Sequence, residues 1–178
     1  MQRKSYKTKT KENSIQTVEM ELAIAKYFGI RQNIIVPNIS WGFGMHECDL
    51  FLIRKSGVAV EVEIKRSKSD LLADFKKRHH HKDRQNRITE LYYALPEELY
   101  EGCKDLIPED AGIIVCYRYT NDKKEVSIQA ITKRNPKRIK NARKLTIEEQ
   151  LKVAKLGTMR IWSLKQKIIK NGRTKKVQ

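Results

Sequence analysis

CDLFLIRKSGVAVEVEIK, residues 48–65, is the stretch that decides the fold, because it pairs two apolar runs around one short turn. Residues 48–54 and 58–65 are rich in the aliphatic, aromatic and β-branched side chains that favour strands. The intervening Lys55-Ser56-Gly57 has the composition of a tight turn. The sequence therefore predicts a β-hairpin.

The length of the turn decides which side chains share a face of this hairpin. A three-residue loop with Gly57 in the left-handed conformation pairs Arg54 with Val58. A two-residue loop would shift the register by one residue and mix Glu61 and Glu63 into the apolar face. We therefore expect the three-residue loop, which leaves one continuous aliphatic face and one face that carries polar groups.

The polar face predicts a small charged cluster at one end of the hairpin. In the three-residue register Asp49 lies directly across from Glu63, and Lys65 follows at the same end. Rigidly placed carboxylate oxygens suit a hard divalent cation such as Mg²⁺, which retains several of its waters. Water activated by such an ion beside Lys65 can attack a phosphodiester. The alternative is an ordinary solvated strand face on which Lys65 pairs with Glu47.

Further elements are predicted on both sides of the hairpin from apolar periodicity and from capping and breaking residues. Before the hairpin they are a helix at 14–28 and a strand at 33–36 that ends at Pro37. After it come a helix at 70–79 capped by Ser69, strands at 90–95, 112–118 and 125–132, and helices at 146–156 and 159–170 on either side of Gly157. This order predicts an α/β domain with a mixed central sheet, extended by two strands and two C-terminal helices.

The composition restricts the class of protein. A chain of 178 residues is expected to form one domain with its own core, without disulfide or metal support. No apolar run approaches the roughly 20 residues that span a bilayer, so we expect no membrane insertion. The three cysteines lack zinc or disulfide spacing, which is typical of buried thiols in a reducing compartment. We therefore expect a cytoplasmic protein.

The charge favours nucleic acid as the partner. There are 38 Lys and Arg residues against 21 Asp and Glu residues, a net charge of +17. Residues 133–144 alone carry seven positive charges and no negative charge. We therefore divide the chain into a basic flexible N-terminus at 1–13, a globular domain at 14–132, a basic segment at 133–145, a helical extension packed on the domain at 146–171, and a basic tail at 172–178.

Asp49 together with Glu63-Ile64-Lys65, within an αβββαβ order of elements, resembles the PD-(D/E)xK nuclease superfamily. The signature of that superfamily is an Asp that starts one hairpin strand and an (Asp/Glu)-x-Lys that ends the next. The resemblance covers residues 14–118, and Cys48 stands where the superfamily nominally has proline. The segments WGFGMHECDL, EVEIKRSKSD, YYALP and IPEDAGI look like a small DNA-repair-type subgroup often encoded by phages.

This resemblance implies that residues 14–132 form a nuclease domain around a restriction-endonuclease-like αβββαβ core. It implies that Asp49 and Glu63 ligate Mg²⁺ together with the backbone carbonyl of Ile64, and that Mn²⁺ can substitute. Lys65 would assist the nucleophilic water. The implied activity is metal-dependent hydrolysis of DNA, with an endonuclease favoured over an exonuclease.

The resemblance also implies a substrate and a setting. The substrate would be double-stranded or branched DNA in repair, recombination or replication intermediates of a bacterium or a phage-infected host. Branched-DNA cutters generally need two active centres, so a homodimer stays open. A first-helix glutamate completes many such sites, and here it is Glu21 or Glu19, with Glu21 favoured. Contacts to the DNA backbone are expected from Arg66, Ser67, Lys68, Lys76, Lys77, Lys82 and Arg84.

Two other functions fit the same charge. A non-catalytic DNA-binding module, using the basic surface and the C-terminal helices, would bind with a steep salt dependence and cleave nothing. A structural partner protein of a replication or packaging complex would bind free DNA weakly at physiological salt.

Overall fold

The structure is a computed structural model, and it describes residues 14–39, 47–76 and 86–174. The elements are, in chain order, α1 (Thr17–Tyr27), β1 (Ile34–Ile39), β2 (Cys48–Ile53), β3 (Ala59–Ile64), α2 (Lys68–Lys76), β4 (Glu90–Pro96), α3 (Glu97–Cys103), β5 (Gly112–Thr120), β6 (Val126–Arg134) and α4 (Ile147–Thr174). A single 3-10 turn at Lys104–Leu106 follows α3.

The six strands form one mixed sheet in the order β1-β2-β3-β4-β5-β6. Neighbouring strands are antiparallel except that β3, β4 and β5 run parallel to one another. Parallel neighbours need a crossover connection, and α2 and α3 provide the two crossovers. The expected α/β class with a mixed central sheet is therefore confirmed.

The hairpin has the register that the three-residue loop predicts. The backbone N–H of Arg54 donates to the carbonyl of Val58 at 2.9 Å, and Gly57 has a φ of +81°. Leu50 consequently lies opposite Val62. Gly57 is required here because a left-handed φ strains a residue that has a Cβ.

The alternation of side chains along the strands divides the core between the two faces of the sheet. One face packs against α1 in a cluster that includes Met20, Ile24, Leu50, Val62 and Ile114. The other face packs against α4 and α3 in two clusters, which include Phe51, Ile53 and Val153 in one and Leu71, Tyr93 and Ile113 in the other. Asp49, Glu61, Glu63 and Lys65 belong to this second face by their register.

The expected pair of C-terminal helices is wrong, because α4 is one helix of 28 residues. Gly157 was expected to end the first of them, yet it lies inside α4. A Cβ at Gly157 would lie 3.0 Å from a methyl carbon of Val36. The glycine therefore allows a close approach of helix and strand and is not a C-cap.

Other boundaries also differ from the sequence prediction. Ser67, not Ser69, caps α2, because its hydroxyl accepts the backbone N–H of Asp70 at 3.1 Å. β1 continues through Pro37 to Ile39, which an edge strand permits because one side of it needs no ladder hydrogen bond. α3, which begins directly after Pro96, was not predicted from the sequence.

The basic segment 133–145 lies along one end of the sheet. The backbone N–H of Ile139 donates to the carbonyl of Thr89, and that of Leu145 donates to Gly57, both at 2.9 Å. We call this end of the sheet the turn end, because it holds the hairpin turn. We call the opposite end, where β2 begins and β3 ends, the site end. The basic segment is therefore a strand's length away from Asp49 and Glu63.

Close packing at the start of β5 gives a prediction about stability. A Cβ built at Gly112 would lie 2.5 Å from the ring of Tyr92, which is buried in the core. We expect Gly112→Ala to lower the free energy of unfolding by about 1–3 kcal/mol, measured by urea denaturation. Gly102→Ala is the control, because nothing lies within 4 Å of its new Cβ in α3 and alanine favours helix. Equal stability of the two variants would contradict the packing argument.

Candidate functional site

The polar side chains predicted from the hairpin meet at the site end of the sheet. Asp49 is the second residue of β2, Glu63 lies near the end of β3, and Lys65 follows β3 directly. β3 and the parallel β4 both end there, and the chain enters α2 three residues later. The carboxyl ends of parallel strands in open sheets commonly border ligand sites.

Asp49 closes the end of the hairpin ladder with its side chain. Its Oδ2 accepts the backbone N–H of Ile64 at 2.8 Å. Burial raises the pKa of Asp49, while the Ile64 hydrogen bond and the charge of Lys65 act in the opposite direction. The carboxylate therefore has a fixed position and one oxygen that is not used in this bond.

Lys65 is held between two carboxylates in a buried network. Its Nζ lies 2.8 Å from Glu63 Oε2 and 3.1 Å from Asp74 Oδ1, and its side chain is only 8% exposed. The hydroxyl of Tyr93 donates to the other oxygen of Asp74 at 3.1 Å. Burial acts to lower the pKa of Lys65, but the adjacent carboxylates outweigh it and hold this pKa above its ordinary value. Lys65 is therefore a fixed cation.

Glu63 is the carboxyl group at the site whose pKa departs most from its ordinary value. Burial, reinforced by the charge of Glu61, raises its pKa to about 8, although Lys65 counteracts both effects. Glu61 lies deeper on the same face of β3 and is fully buried. Glu63 therefore lies beside a second acidic residue on the same face of β3 and holds its proton more tightly than an exposed glutamate does.

Asp74 and Tyr93 also belong to the site, although they were not predicted from the sequence. Leu71 and Asp74 are three residues apart on α2, so both point towards the sheet and both are buried. Tyr93 is in register with Glu63 across the parallel β3–β4 pair. An acidic residue on the apolar side of the crossover helix was the available signal, because such a residue needs a buried partner.

The two first-helix glutamates have different environments. Glu19 accepts the backbone N–H of Gln16 at 2.7 Å, and so it caps the start of α1. Burial raises the pKa of Glu21, an Asn38 hydrogen bond lowers it, and the nearby charge of Asp49 raises it. The amide of Asn38 lies 3.5 Å from Glu21 Oε1. Glu21 is thus the glutamate within electrostatic reach of Asp49.

The expected DNA-contacting residues fall into two groups. Arg66 and Lys68 are exposed beside the start of α2, and Ser67 is half-buried in its capping position. The side chain of Lys76, and residues Lys77, Lys82 and Arg84, lie outside the described residues.

The second half of α4 adds cations near the site end. α4 begins two residues after Leu145 at the turn end and packs along β1, and the guanidinium of Arg160 donates to the carbonyl of Asn38. Asn38 in turn lies beside Glu21. Beyond this contact α4 continues to Thr174, about 21 Å further at 1.5 Å per residue.

A cavity of about 710 Å³ lies at the opposite end of the molecule. Its lining includes Tyr27, Arg54 and Tyr92, together with Lys55 of the hairpin turn. None of the predicted site residues lines it. The charged cluster at the site end is therefore not part of this cavity.

The carboxylates at the site end are the type of donor that a hard divalent cation prefers. Among the described residues, no group of three or more His, Cys, Asp or Glu side chains is placed to hold a metal ion. Asp49, Glu63 and the carbonyl of Ile64 are the groups that could hold such a cation. Mg²⁺ is commonly bound by one or two carboxylates with waters and substrate phosphates completing its shell.

In the part of the chain that the structure describes, no helix has the length and apolar character needed to cross a membrane.

No protein-family model matches the chain, and no curated protein matches it. A solved structure similar to it is the SPO1766 protein of unknown function from Silicibacter pomeroyi, with a TM-score of 0.57 and 15% sequence identity. The match covers 86% of this chain and 92% of that chain. At this identity the likeness concerns the fold alone, and the finding supports a mixed α/β domain.

Proposed function

We propose that the protein is a Mg²⁺-dependent deoxyribonuclease of the PD-(D/E)xK type, and that its helix, sheet and crossover form a restriction-endonuclease-like core. One observation carries the proposal. Asp49, Glu63 and Lys65 converge at one end of the sheet through a hairpin register and a buried ion pair. The setting that belongs to this proposal is repair, recombination or replication of DNA in the cytoplasm of a bacterial or phage-infected cell.

Each residue of the site has a stated task in this proposal. Asp49, Glu63 and the carbonyl of Ile64 would hold the cation, which when bound supplies Lewis acidity and an activated water. Lys65, fixed by Glu63 and Asp74, orients the attacking water and offsets the negative charge that develops on the phosphodiester. Glu21 acts through the electrostatic field at Asp49.

The charge distribution supports DNA as the substrate. Arg66 and Lys68 flank the site beside the start of α2, and Arg160 places the basic half of α4 at the same end of the sheet. Cations around a small acidic centre attract a phosphate backbone to it while leaving room for the cation. The basic segment lies at the turn end, so its charges act on DNA that extends beyond the site.

A second candidate is a DNA-binding module without catalytic activity. The observation that favours it is the net charge of +17, together with the exposed Arg66 and Lys68 beside the site end. This function predicts DNA binding whose affinity falls steeply with salt and no cleavage with any metal.

The experiment that separates the two uses the full chain with linear, nicked, single-stranded and branched DNA. Each substrate is incubated with Mg²⁺, with Mn²⁺ or with EDTA, and products are resolved on denaturing gels. The nuclease proposal expects cleavage with either metal and none with EDTA. Salt-sensitive binding with no cleavage of any substrate would instead establish the binding module.

The raised pKa of Glu63 gives a prediction about pH and metal. A carboxyl group whose pKa is near 8 when folded and about 4.5 when unfolded binds more protons in the folded state between these values. The stability that this group contributes is therefore complete below about pH 4.5 and is lost as the pH rises through about 8. Without metal, we expect the free energy of unfolding to fall over this range, measured by urea denaturation in EDTA.

Glu63→Gln is the matched control, because it keeps the size of the side chain and cannot ionise. The decline with pH should be smaller in this variant than in the wild type. Adding Mg²⁺ at pH 8 should stabilise the wild type, since the cation binds the folded state, and should leave Glu63→Gln little changed. The same pH dependence in both proteins would show that Glu63 is not the titrating group.

A further inference from the structure

The second half of α4 carries both apolar and basic side chains and is not covered by the rest of the domain. Every residue from 158 to 171 is exposed. Large apolar side chains are nevertheless frequent there, and Ile161, Leu164 and Ile168 are 55%, 58% and 61% exposed. Exposed apolar groups that form a contiguous patch usually mark a binding surface. DNA does not account for them, because phosphates attract cations and not aliphatic side chains.

Three of the exposed apolar residues follow the spacing of a helix-packing seam, while Met159, Trp162 and Ile169 lie beside it. Ile161, Leu164 and Ile168 are separated by three and four residues, as are the a and d positions of a heptad repeat. We call these three residues the α4 seam. Gly157 and Asn171 continue the same line at its two ends. This pattern fits a second helix lying along α4.

The charges beside the seam indicate what charge a docked helix must carry. With Ile161 at position a, the e and g positions beside the seam are Arg160, Lys165 and Lys167. Neither Asp nor Glu occurs from residue 150 to residue 178. A second copy of this chain, parallel or antiparallel, would bring cation against cation along both edges of the seam.

From this charge pattern we propose that the α4 seam docks an acidic amphipathic helix of another protein. Its apolar a and d residues would cover Ile161, Leu164 and Ile168, and its Glu or Asp residues at e and g would pair with the flanking cations. Residues 1–13 cannot take this role, because they carry five cations, a single Glu and no apolar repeat. The inference does not depend on the proposed nuclease function. It places a recruitment surface beside the site end, where Arg160 contacts Asn38.

The test uses the full chain and two synthetic peptides of three heptads, both with Leu at a and d. One peptide has Glu at all e and g positions and the other has Lys. We expect the Glu peptide to bind with a Kd on the order of 10 μM and the Lys peptide to bind at least about tenfold more weakly, by fluorescence anisotropy.

Substitutions in α4 make the test specific. Leu164→Asn should weaken binding of the Glu peptide at least about tenfold, whereas Gln166→Ala, on the opposite side of the helix, should not. Changing Arg160, Lys165 and Lys167 together to Glu should reverse the preference between the two peptides.

Four results would overturn the proposal. They are no binding of the Glu peptide, an affinity that Leu164→Asn leaves unchanged, a wild-type dimer that Leu164→Asn converts to monomer, and seam-dependent binding to phosphatidylcholine–phosphatidylserine vesicles in place of the peptide.

Discussion

Asp49→Asn is expected to abolish metal-dependent DNA cleavage while leaving the protein folded. The amide oxygen of the asparagine can still accept the Ile64 N–H, which holds the end of the hairpin at 2.8 Å in the wild type. The substitution removes only the negative charge, and with it the attraction for the cation. A loss of about 4 kcal/mol of metal-dependent stabilisation of the transition state corresponds to roughly a 10³-fold lower rate.

The measurement is the initial rate of cleavage on the best substrate at saturating Mg²⁺, with far-UV circular dichroism and urea denaturation to verify folding. Asp105→Asn is the control, because Asp105 is exposed in the 3-10 turn and belongs to no part of the site. Its rate should equal that of the wild type. Cleavage that continues unchanged in Asp49→Asn would remove Asp49 from the site, even if the protein proved to be a nuclease.

Lys65→Met is expected to have the largest effect on stability as well as on activity. Removing the ammonium leaves Glu63 and Asp74 facing each other in a buried position without their shared partner. Breaking a buried ion pair from one side costs about 3–5 kcal/mol, and loss of an assisting group lowers a rate by about 10² or more. We expect both losses, measured by urea denaturation at pH 8 and by cleavage rate.

The loss of stability should depend on pH in a defined direction. Burial raises the pKa of Glu63 to about 8, and removing Lys65 removes a charge that lowers it, so Glu63 is protonated at pH 5 in both proteins and the difference from wild type should be smaller at pH 5 than at pH 8. Replacing Asp74 by Asn in the same chain should recover part of the stability and none of the activity. Lys68→Met, an exposed neighbour, should change stability by less than about 0.5 kcal/mol. A Lys65→Met protein as stable as wild type would mean that the buried network is not formed.

The hairpin is the part of the fold that the sequence predicts in most detail. Its register depends on local facts, the left-handed glycine and the need to keep Glu61 and Glu63 off the aliphatic face, and so it was predictable. The placement of Asp49 near the end of β3 follows from the same register. The prediction of two C-terminal helices was wrong because a glycine in a helical pattern can indicate either a helix end or a close contact with another element. At Gly157 only the position of Val36, which is distant in sequence, shows that the close contact applies.

Only one of the two partners of Lys65 could be predicted from the sequence. Glu63 is two residues away, and the alternation of a strand places both on one face. Asp74 reaches Lys65 only because α2 crosses from β3 to the parallel β4, and Tyr93 meets Asp74 only through the β3–β4 register. The position of the basic segment along the turn end could not be predicted from the sequence either, because backbone hydrogen bonds to distant strands determine it.

The sequence by itself therefore determined the mixed α/β class, the hairpin register and the basic charge. These follow from residue spacing, turn stereochemistry and composition, all of which act over a few residues. The tertiary structure decided that Lys65 lies between two carboxylates, that the basic segment lies far from Asp49, and that the α4 seam is exposed. Each of these depends on which distant elements come together, and that is settled by packing across the whole sheet.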